Sequence, residues 1–165
     1  MNNEFKIKEI QLVVFKIGKE EFGVPINQVR EIVRWVPVTP VPRVPDFIEG
    51  VVNLRGQILA VIDLAKRLTL GSNPRSDRTR IIVVEVEGNT VGMIVDEVTE
   101  VLRIASENID QTPELITTEV QQKYLKGVGK LGERLLILID LAQVLSSEEV
   151  EEMKRVRTEE QKKEE

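Results

Sequence analysis

Cysteine and histidine are both absent from the 165-residue sequence. Without cysteine the chain forms no disulfides and has no thiolate chemistry, which is compatible with a reducing cytosol. Without histidine it lacks the usual general base near neutral pH, the commonest metal ligand and any phosphohistidine relay. No histidine is available to activate a serine or threonine, and no phosphate-binding glycine loop is present. We therefore predict no enzymatic activity, no cofactor and no metal site.

Aromatic residues are also scarce, and basic residues are outnumbered by acidic ones. Aromatic residues make up 4% of the chain, and the formal net charge is −5. Eight glutamates against five lysines and arginines put −3 of this charge in residues 146–165. Nucleic acids and anionic membranes need a basic surface, so neither is expected as the main partner. No apolar run is long enough to cross a bilayer and no signal-peptide pattern is present, so we predict a cytoplasmic protein.

The chain is organised around residues 50–64, in which two apolar, β-branched runs flank a short polar turn. This pattern is typical of a β-hairpin. Gly56 is free to take a positive φ at the turn. Asp63 stands where an N-cap would begin a short helix over residues 64–68. Arg55 is unusual, because it places a long cation at the tip of an apolar hairpin.

A helix is predicted before this hairpin. Asn27 is a good N-cap, and three apolar residues, Val29, Ile32 and Val33, would then share one helical face. The helix cannot enter the proline-rich residues 37–45, which we predict as a stiff, extended connector.

Strand–turn–strand patterns occupy residues 10–26 and 80–95. The second of them is followed by Asp96, in a capping position, and by a further predicted helix over residues 97–103. A polar break at residues 71–77 separates the two halves of the chain.

The two halves repeat each other. A shift of 69 positions superposes the first part of each half, and a shift of 77 superposes the hairpin of residues 50–68. The first shift matches Gly23, Val29, Glu31 and Arg34 with Gly92, Val98, Glu100 and Arg103. The second matches Gly50, Val51, Leu54, Leu59, Ile62, Asp63, Leu64, Ala65 and Leu68 with Gly127, Val128, Leu131, Leu136, Ile139, Asp140, Leu141, Ala142 and Leu145.

This repetition predicts a mainly β protein of two pseudo-repeated, intertwined lobes, built as small curled sheets or barrels packed on each other. We place the domain at residues 1–145, with approximate repeats over 10–68 and 80–145. Residues 146–165 are predicted as a charged C-terminal helix.

The C-terminal helix should begin at the capping box in residues 146–149. Val150, Met153 and Val156 form its thin apolar stripe. We expect it to end near Arg157 and to fray beyond that residue.

The repeat also separates structural from functional candidates. Asp63 and Asp140 occupy equivalent places, so we interpret both as N-caps rather than catalytic acids. Glu31 recurs as Glu100 and is expected to be structural, pairing Arg34 one helical turn away. Arg55 occurs in the first copy only and is a functional candidate. The alternative for Arg55 is a salt bridge to a carboxylate across the two lobes.

Several of these motifs resemble the CheW family of chemotaxis coupling proteins. The resemblance is carried by FIEGVVNLRGQI at residues 47–58 and VIDL at residues 61–64. Further matches lie at residues 21–24, 29–32, 91–92, 95–96 and 124–140. It covers roughly residues 15–145, and with no kinase, phosphotransfer or receiver region attached it points to a free-standing member of the family.

The resemblance implies two five-stranded barrels of the SH3 type and a scaffold without activity of its own. It implies that the chain couples the histidine kinase CheA to the cytoplasmic tips of methyl-accepting receptors in membrane-associated arrays. The residues that match receptor-facing positions are Val29, Glu31, Ile32, Gly50 and Arg55. The residues that match kinase-facing positions are Pro113, Glu114 and Leu115.

Two positions depart from the family pattern. Ala60 stands where the family usually has proline, and Asp110 stands where a basic residue often precedes the kinase-facing connector. The alternative function is a stand-alone SH3-like peptide-binding module outside chemotaxis. The scarcity of aromatic residues counts against that alternative, because such modules bind proline-rich peptides in aromatic-lined grooves.

Overall fold

The computed structural model describes residues 8–111 and 123–164, and it is mainly β, as predicted. The strands are β1 Glu9–Ile17, β2 Glu20–Pro25, β3 Val29–Arg34, β4 Ile48–Leu54, β5 Gln57–Asp63, β6 Arg80–Val86, β7 Asn89–Val95, β8 Glu97–Ala105, β9 Ile109–Asp110, β10 Leu125–Leu131 and β11 Arg134–Ile139. The α-helices are α1 Leu64–Arg67 and α2 Ser147–Glu164. Single 3₁₀ turns span Ile26–Gln28, Ser106–Asn108 and Leu141–Gln143.

The helix predicted after Asn27 is wrong, because this segment is strand β3. A β-bulge at Arg30 explains the error. Val29 pairs with Val84 and Ile32 pairs with Ile82, so the extra residue brings two positions three apart onto one face. A bulged strand therefore shows the three-residue spacing of apolar positions that is typical of a helix.

The helix predicted over residues 97–103 is wrong for the same reason, because these residues belong to β8. The bulge in β8 falls at Thr99, 69 positions after Arg30. It places Val98 and Val101 on one face, opposite Phe15 and Val13 of β1. The bulge is thus part of the repeated fold.

The two repeats exchange their first hairpins. The sheet of the first barrel has the order β3-β6-β7-β5-β4, and that of the second has the order β8-β1-β2-β11-β10-β9. Each barrel therefore holds a hairpin from the other half of the chain between its own strands. The junctions are parallel pairings, β5 with β7 and β11 with β2, at equivalent positions of the repeat. Neither barrel can form from one half of the sequence alone.

Each sheet is closed into a barrel by the chain that follows its edge strand. In the first barrel, Thr39 exchanges backbone hydrogen bonds with Val51 of β4, both at 2.9 Å. In the second barrel, β9 pairs with Val128 and Gly129 of β10. These crossings close a five-stranded first barrel and a second barrel whose sixth strand is the two-residue β9.

Apolar clusters fill both barrels and the junction between them. Val52, Leu59, Val61, Ile81, Val83 and Ile94 form the core of the first barrel. Leu12, Val14, Ile104, Leu136 and Leu138 form that of the second. The largest cluster lies between the barrels and includes Phe15, Phe22, Ile62, Ile82, Met93 and Ile139. The stacked rings of Phe15 and Phe22, with centroids 5.4 Å apart, lie in this shared core.

Helix α2 packs its predicted apolar stripe against the first barrel. Val150, Met153 and Val156 are all buried, and Val156 contacts Val51 and Ile58. The helix runs to Glu164, so its predicted end near Arg157 is too early. Salt bridges one turn apart, from Arg155 to glutamates on either side and within the pair Lys163–Glu160, support the final turns.

Candidate functional site

Arg55 occupies a left-handed position at the tip of the β4–β5 hairpin. The two-residue turn has φ 54° at Arg55 and 87° at Gly56, as a type I′ turn requires. The Asn53 side chain accepts a hydrogen bond from the Gly56 backbone N–H at 2.8 Å. Arginine gains nothing locally from this conformation, which favours Asn, Asp or Gly. The turn therefore presents the Arg55 side chain at some cost in local backbone energy.

Glu31 on β3 binds the Arg55 guanidinium. Arg55 Nη2 lies 2.5 Å from Glu31 Oε1, and the two side chains are 67% and 36% exposed. The predicted pairing of Glu31 with Arg34 is wrong, because β3 is not a helix. The proposed salt bridge of Arg55 across the two lobes is also wrong, since both partners belong to the first barrel. The pair instead spans the gap between the two edges of one sheet.

A cleft of about 310 Å³ opens beside this ion pair, at the end of the first barrel. We call it the first mouth. Its floor is apolar and consists of Leu54, Leu59 and Val83, and its rim consists of Arg30, Glu31, Arg55, Gln57 and Thr90. Sequence reasoning found Glu31 and Arg55 but missed the other rim residues, which only the curvature of the sheet brings together.

Arg30 is the second cation of the rim. Its Nη1 atom lies 2.5 Å from Glu85 Oε1 and 3.4 Å from Thr90 Oγ1. Arg30 is the bulged residue of β3, which explains why its side chain leaves the regular alternation of the strand and reaches the mouth.

Val29 and Ile32 lie on the outer face of β3, beside the junction of the barrels. Val29 packs against the shared core, and Ile32 is 37% exposed. Both therefore continue the buried apolar surface to the edge of the sheet, where a partner side chain has access to it.

Gly50 is buried, and its role differs from that of the side chains at the first mouth because only its backbone is involved. Its φ is 144°, and an added Cβ would lie 2.0 Å from the Thr39 carbonyl oxygen. An added Cβ at its counterpart, Gly127, would lie 2.5 Å from the Asp110 carbonyl oxygen. Because both copies need glycine where the closing segment crosses, Gly50 shapes the first barrel rather than offering a side chain.

The second barrel carries equivalent residues in a different arrangement. Its counterparts to Glu31, Gln57 and Thr90 are Glu100, Arg134 and Glu21. Arg134 Nη2 lies 3.1 Å from Glu100 and 3.2 Å from Glu21. The hydrogen bonds that Arg134 donates to Glu21 and Glu100 raise the pKa of its guanidinium above the ordinary value. One arginine thus clamps two strands at this end of the second barrel, which we call the second mouth.

Asp63 and Asp140 both cap the turn that follows their strand. Asp63 accepts from the Lys66 N–H at 3.3 Å, and Asp140 from the Ala142 N–H at 3.0 Å. Asp63 is fully buried and also pairs with Arg75 at 2.8 Å. The interpretation of both residues as N-caps is confirmed.

The predicted kinase-facing residues Pro113, Glu114 and Leu115 lie outside the described residues. Asp110, just before them, pairs with Lys130 at 2.5 Å, with both side chains more than half exposed.

Among residues 8–111 and 123–164, no cluster of carboxylates has the arrangement of a metal site. None of the helices that the structure describes is long and apolar enough to cross a membrane.

Comparison with known proteins identifies the family. The family model of the CheW-like domain matches residues 11–149. The chemotaxis protein CheW of Klebsiella aerogenes is 41% identical over 140 residues, covering 85% of this chain and 84% of the relative. That of Rhizobium meliloti is 37% identical over 141 residues, covering 86% and 90%.

A solved structure has the same fold. The scaffolding protein TtCheW from Thermoanaerobacter tengcongensis superposes with a TM-score of 0.76 at 37% identity, covering 86% of this chain and 96% of that one. Together with the internally repeated β-barrels and the match across residues 11–149, these relatives establish that the chain belongs to the CheW family.

Proposed function

We propose that this chain is a non-enzymatic coupling adaptor, which joins methyl-accepting chemotaxis receptors to the histidine kinase CheA in cytoplasmic, membrane-associated arrays. The relatives are named as chemotaxis and scaffolding proteins, which supports this role over a stand-alone peptide-binding module. A scaffold needs no catalytic group, in keeping with a sequence that lacks histidine and cysteine.

The observation that carries the proposal is the first mouth with its exposed ion pair. Arg55 is held in an unfavourable backbone conformation, and two-thirds of its side chain is exposed. Its counterpart in the second barrel is Gly132, so the fold does not require a cation at this position. We assign Arg55 and Glu31, with Val29 and Ile32 beside them, to recognition of the helical receptor tip. Gly50 supports this site through the backbone.

The test is binding of a soluble receptor-tip fragment to the variant Arg55→Glu. We expect binding to be lost while the circular dichroism spectrum and urea transition stay close to those of the unmodified protein. Lys130→Glu is the matched control, since it also reverses an exposed, ion-paired cation but in the second barrel. Receptor binding retained by well-folded Arg55→Glu protein would refute the assignment.

Coupling requires that both partners bind at once through separate surfaces. We assign Pro113, Glu114 and Leu115 to the kinase-facing surface. Leu115→Asp is then expected to weaken binding to the regulatory domain of CheA and to leave receptor binding unchanged. A ternary complex on size-exclusion chromatography is expected for the unmodified protein and lost for Leu115→Asp. Unchanged CheA affinity would remove Leu115 from this surface.

A further inference from the structure

The two mouths have the same floor and different rims. The floor residues Leu54, Leu59 and Val83 of the first mouth correspond, by the shifts of 77 and 69, to Leu131, Leu136 and Val14. Each floor position holds the same residue type in both barrels. Since the floors are identical, they belong to the packing of the repeated fold, and any difference in what the mouths bind must come from their rims.

The rims differ at the positions that would cross the opening. In the second barrel Arg134 binds Glu21 and Glu100 together and joins β2 to β8. In the first barrel Gln57 and Thr90 replace Arg134 and Glu21, so this clamp cannot form. Glu31 instead binds Arg55 from the hairpin tip, and the cleft of about 310 Å³ opens beside this pair.

The size and charge of the first mouth define its occupant. A cleft of about 310 Å³ is at the lower limit for small-molecule sites, which suits one or two side chains of a larger partner. Leu54 is the partly exposed residue of the apolar floor, whereas Leu59 and Val83 are almost completely buried, so the floor favours the tip of an aliphatic side chain. The lining holds two arginines and one glutamate. Arg30 is also paired with Glu85, and Arg55 contacts Glu31 through Nη2 while two-thirds of its side chain is exposed. These donors suit a carboxylate close to the inserted side chain.

We propose that the first mouth is a side-chain pocket, which receives one large aliphatic side chain of the receptor helix while a carboxylate one helical turn away binds Arg55. This proposal rests on the proposed function above. It adds Gln57 and Thr90 as residues whose uncharged side chains keep the mouth open, and the partly exposed Leu54 as the apolar contact, next to the buried Leu59 and Val83.

The test transfers the clamp of the second barrel into the first. The double variant Gln57→Arg/Thr90→Glu recreates the rim of the second mouth, which the fold already accommodates once. We expect a normal urea transition and receptor-tip binding weakened about tenfold or more. The matched control is Glu21→Thr/Arg134→Gln, which removes the clamp from the second barrel and should leave the dissociation constant within about twofold of the original.

Methyl NMR of the unmodified protein gives an independent readout that does not depend on a variant folding. On addition of the receptor fragment, methyl resonances of Leu54, Leu59 and Val83 should shift more than those of Leu131, Leu136 and Val14. Equal shifts, or full binding by the clamped variant, would overturn the pocket. If binding is lost in Arg55→Glu but kept in the clamped variant, the proposed function stands and only the pocket is wrong. If the unmodified protein binds no receptor fragment, both are wrong.

Discussion

The Cα of Gly50 faces the carbonyl oxygen of Thr39 so closely that an added Cβ would lie 2.0 Å from that oxygen. Two backbone segments therefore cross without space for a methyl group, at the point where the first barrel closes. This relationship separates the role of Gly50 from that of the exposed side chains in the candidate site.

Gly50→Ala is expected to lower the free energy of unfolding by on the order of 3 kcal/mol or more, because the crossing segments must move apart. Gly71→Ala is the matched control. Gly71 also has a positive φ, 82°, but nothing lies within 4 Å of an added Cβ. Gly71→Ala should lower the free energy of unfolding by only about 1 kcal/mol, through backbone strain. Urea denaturation measures both, and equal losses would mean that the contact with Thr39 is unimportant.

Arg55→Asn separates binding from stability. The substitution creates Asn-Gly, the sequence that a type I′ turn prefers, and removes an exposed ion pair worth about 0–1 kcal/mol. We expect the free energy of unfolding to stay within about 1 kcal/mol of its original value, while receptor-tip binding is lost. A large fall in the urea midpoint would instead show that the Glu31 pair holds the edges of the first barrel together.

Much of the fold is readable from the sequence because the hairpins are local. The patterns at residues 50–64 and 80–95 predicted their strands, and Asp63 and Asp140 predicted their caps. Strands β3 and β8 could not be read correctly, since a bulge at Arg30 and at Thr99 gives each strand a helical spacing. The bulge depends on pairing with a strand from the other half of the chain.

The candidate site was only partly predictable. Arg55 stood out because the second repeat lacks it. Arg30, Gln57 and Thr90 were missed, because curvature of a sheet with exchanged hairpins brings them to one opening. The repeat contained a signal that could have found Gln57 and Thr90. Their counterparts under the shifts of 77 and 69 are Arg134 and Glu21, and Arg134, unlike Gln57, can bridge two glutamates.

Arg75→Ala tests how the linker between the repeats is held. Arg75 pairs with the fully buried Asp63 at 2.8 Å and is itself 23% exposed. Its removal leaves a buried carboxylate without its cation, which we expect to cost about 3 kcal/mol. Arg78→Ala, in the same segment, breaks an exposed contact with Glu97 at 4.0 Å and should cost no more than about 0.5 kcal/mol. Similar urea midpoints for the two variants would contradict this account.

Stability above pH 10 should depend on Tyr124. Burial raises the pKa of its phenol above the ordinary value of 10.0, an effect that the positive charge of Arg67 partly opposes. The folded protein holds this proton more tightly than the unfolded chain does. The stabilisation that Tyr124 contributes to the folded state is therefore complete below pH 10 and is lost as the pH rises through the raised pKa. Between pH 8 and 11, the unmodified protein should lose more unfolding free energy than Tyr124→Phe; parallel curves would exclude the effect.

Helix α2 is expected to depend on a single anchor in its second half. Val156 is 2% exposed and packs on Val51 and Ile58, whereas residues 157–163 are partly or fully exposed. Val156→Asp buries a charge at this contact, so the turns after residue 153 should detach and the unfolding free energy should fall by about 2–4 kcal/mol. Hydrogen exchange would then show amides of residues 154–163 losing protection while those of β4 and β5 keep most of theirs. Lys154→Asp places the same carboxylate on the exposed face and controls for its effect on the helix itself. Equal exchange in the two variants would mean that the salt bridges of Arg155, rather than burial of Val156, hold the end of the helix.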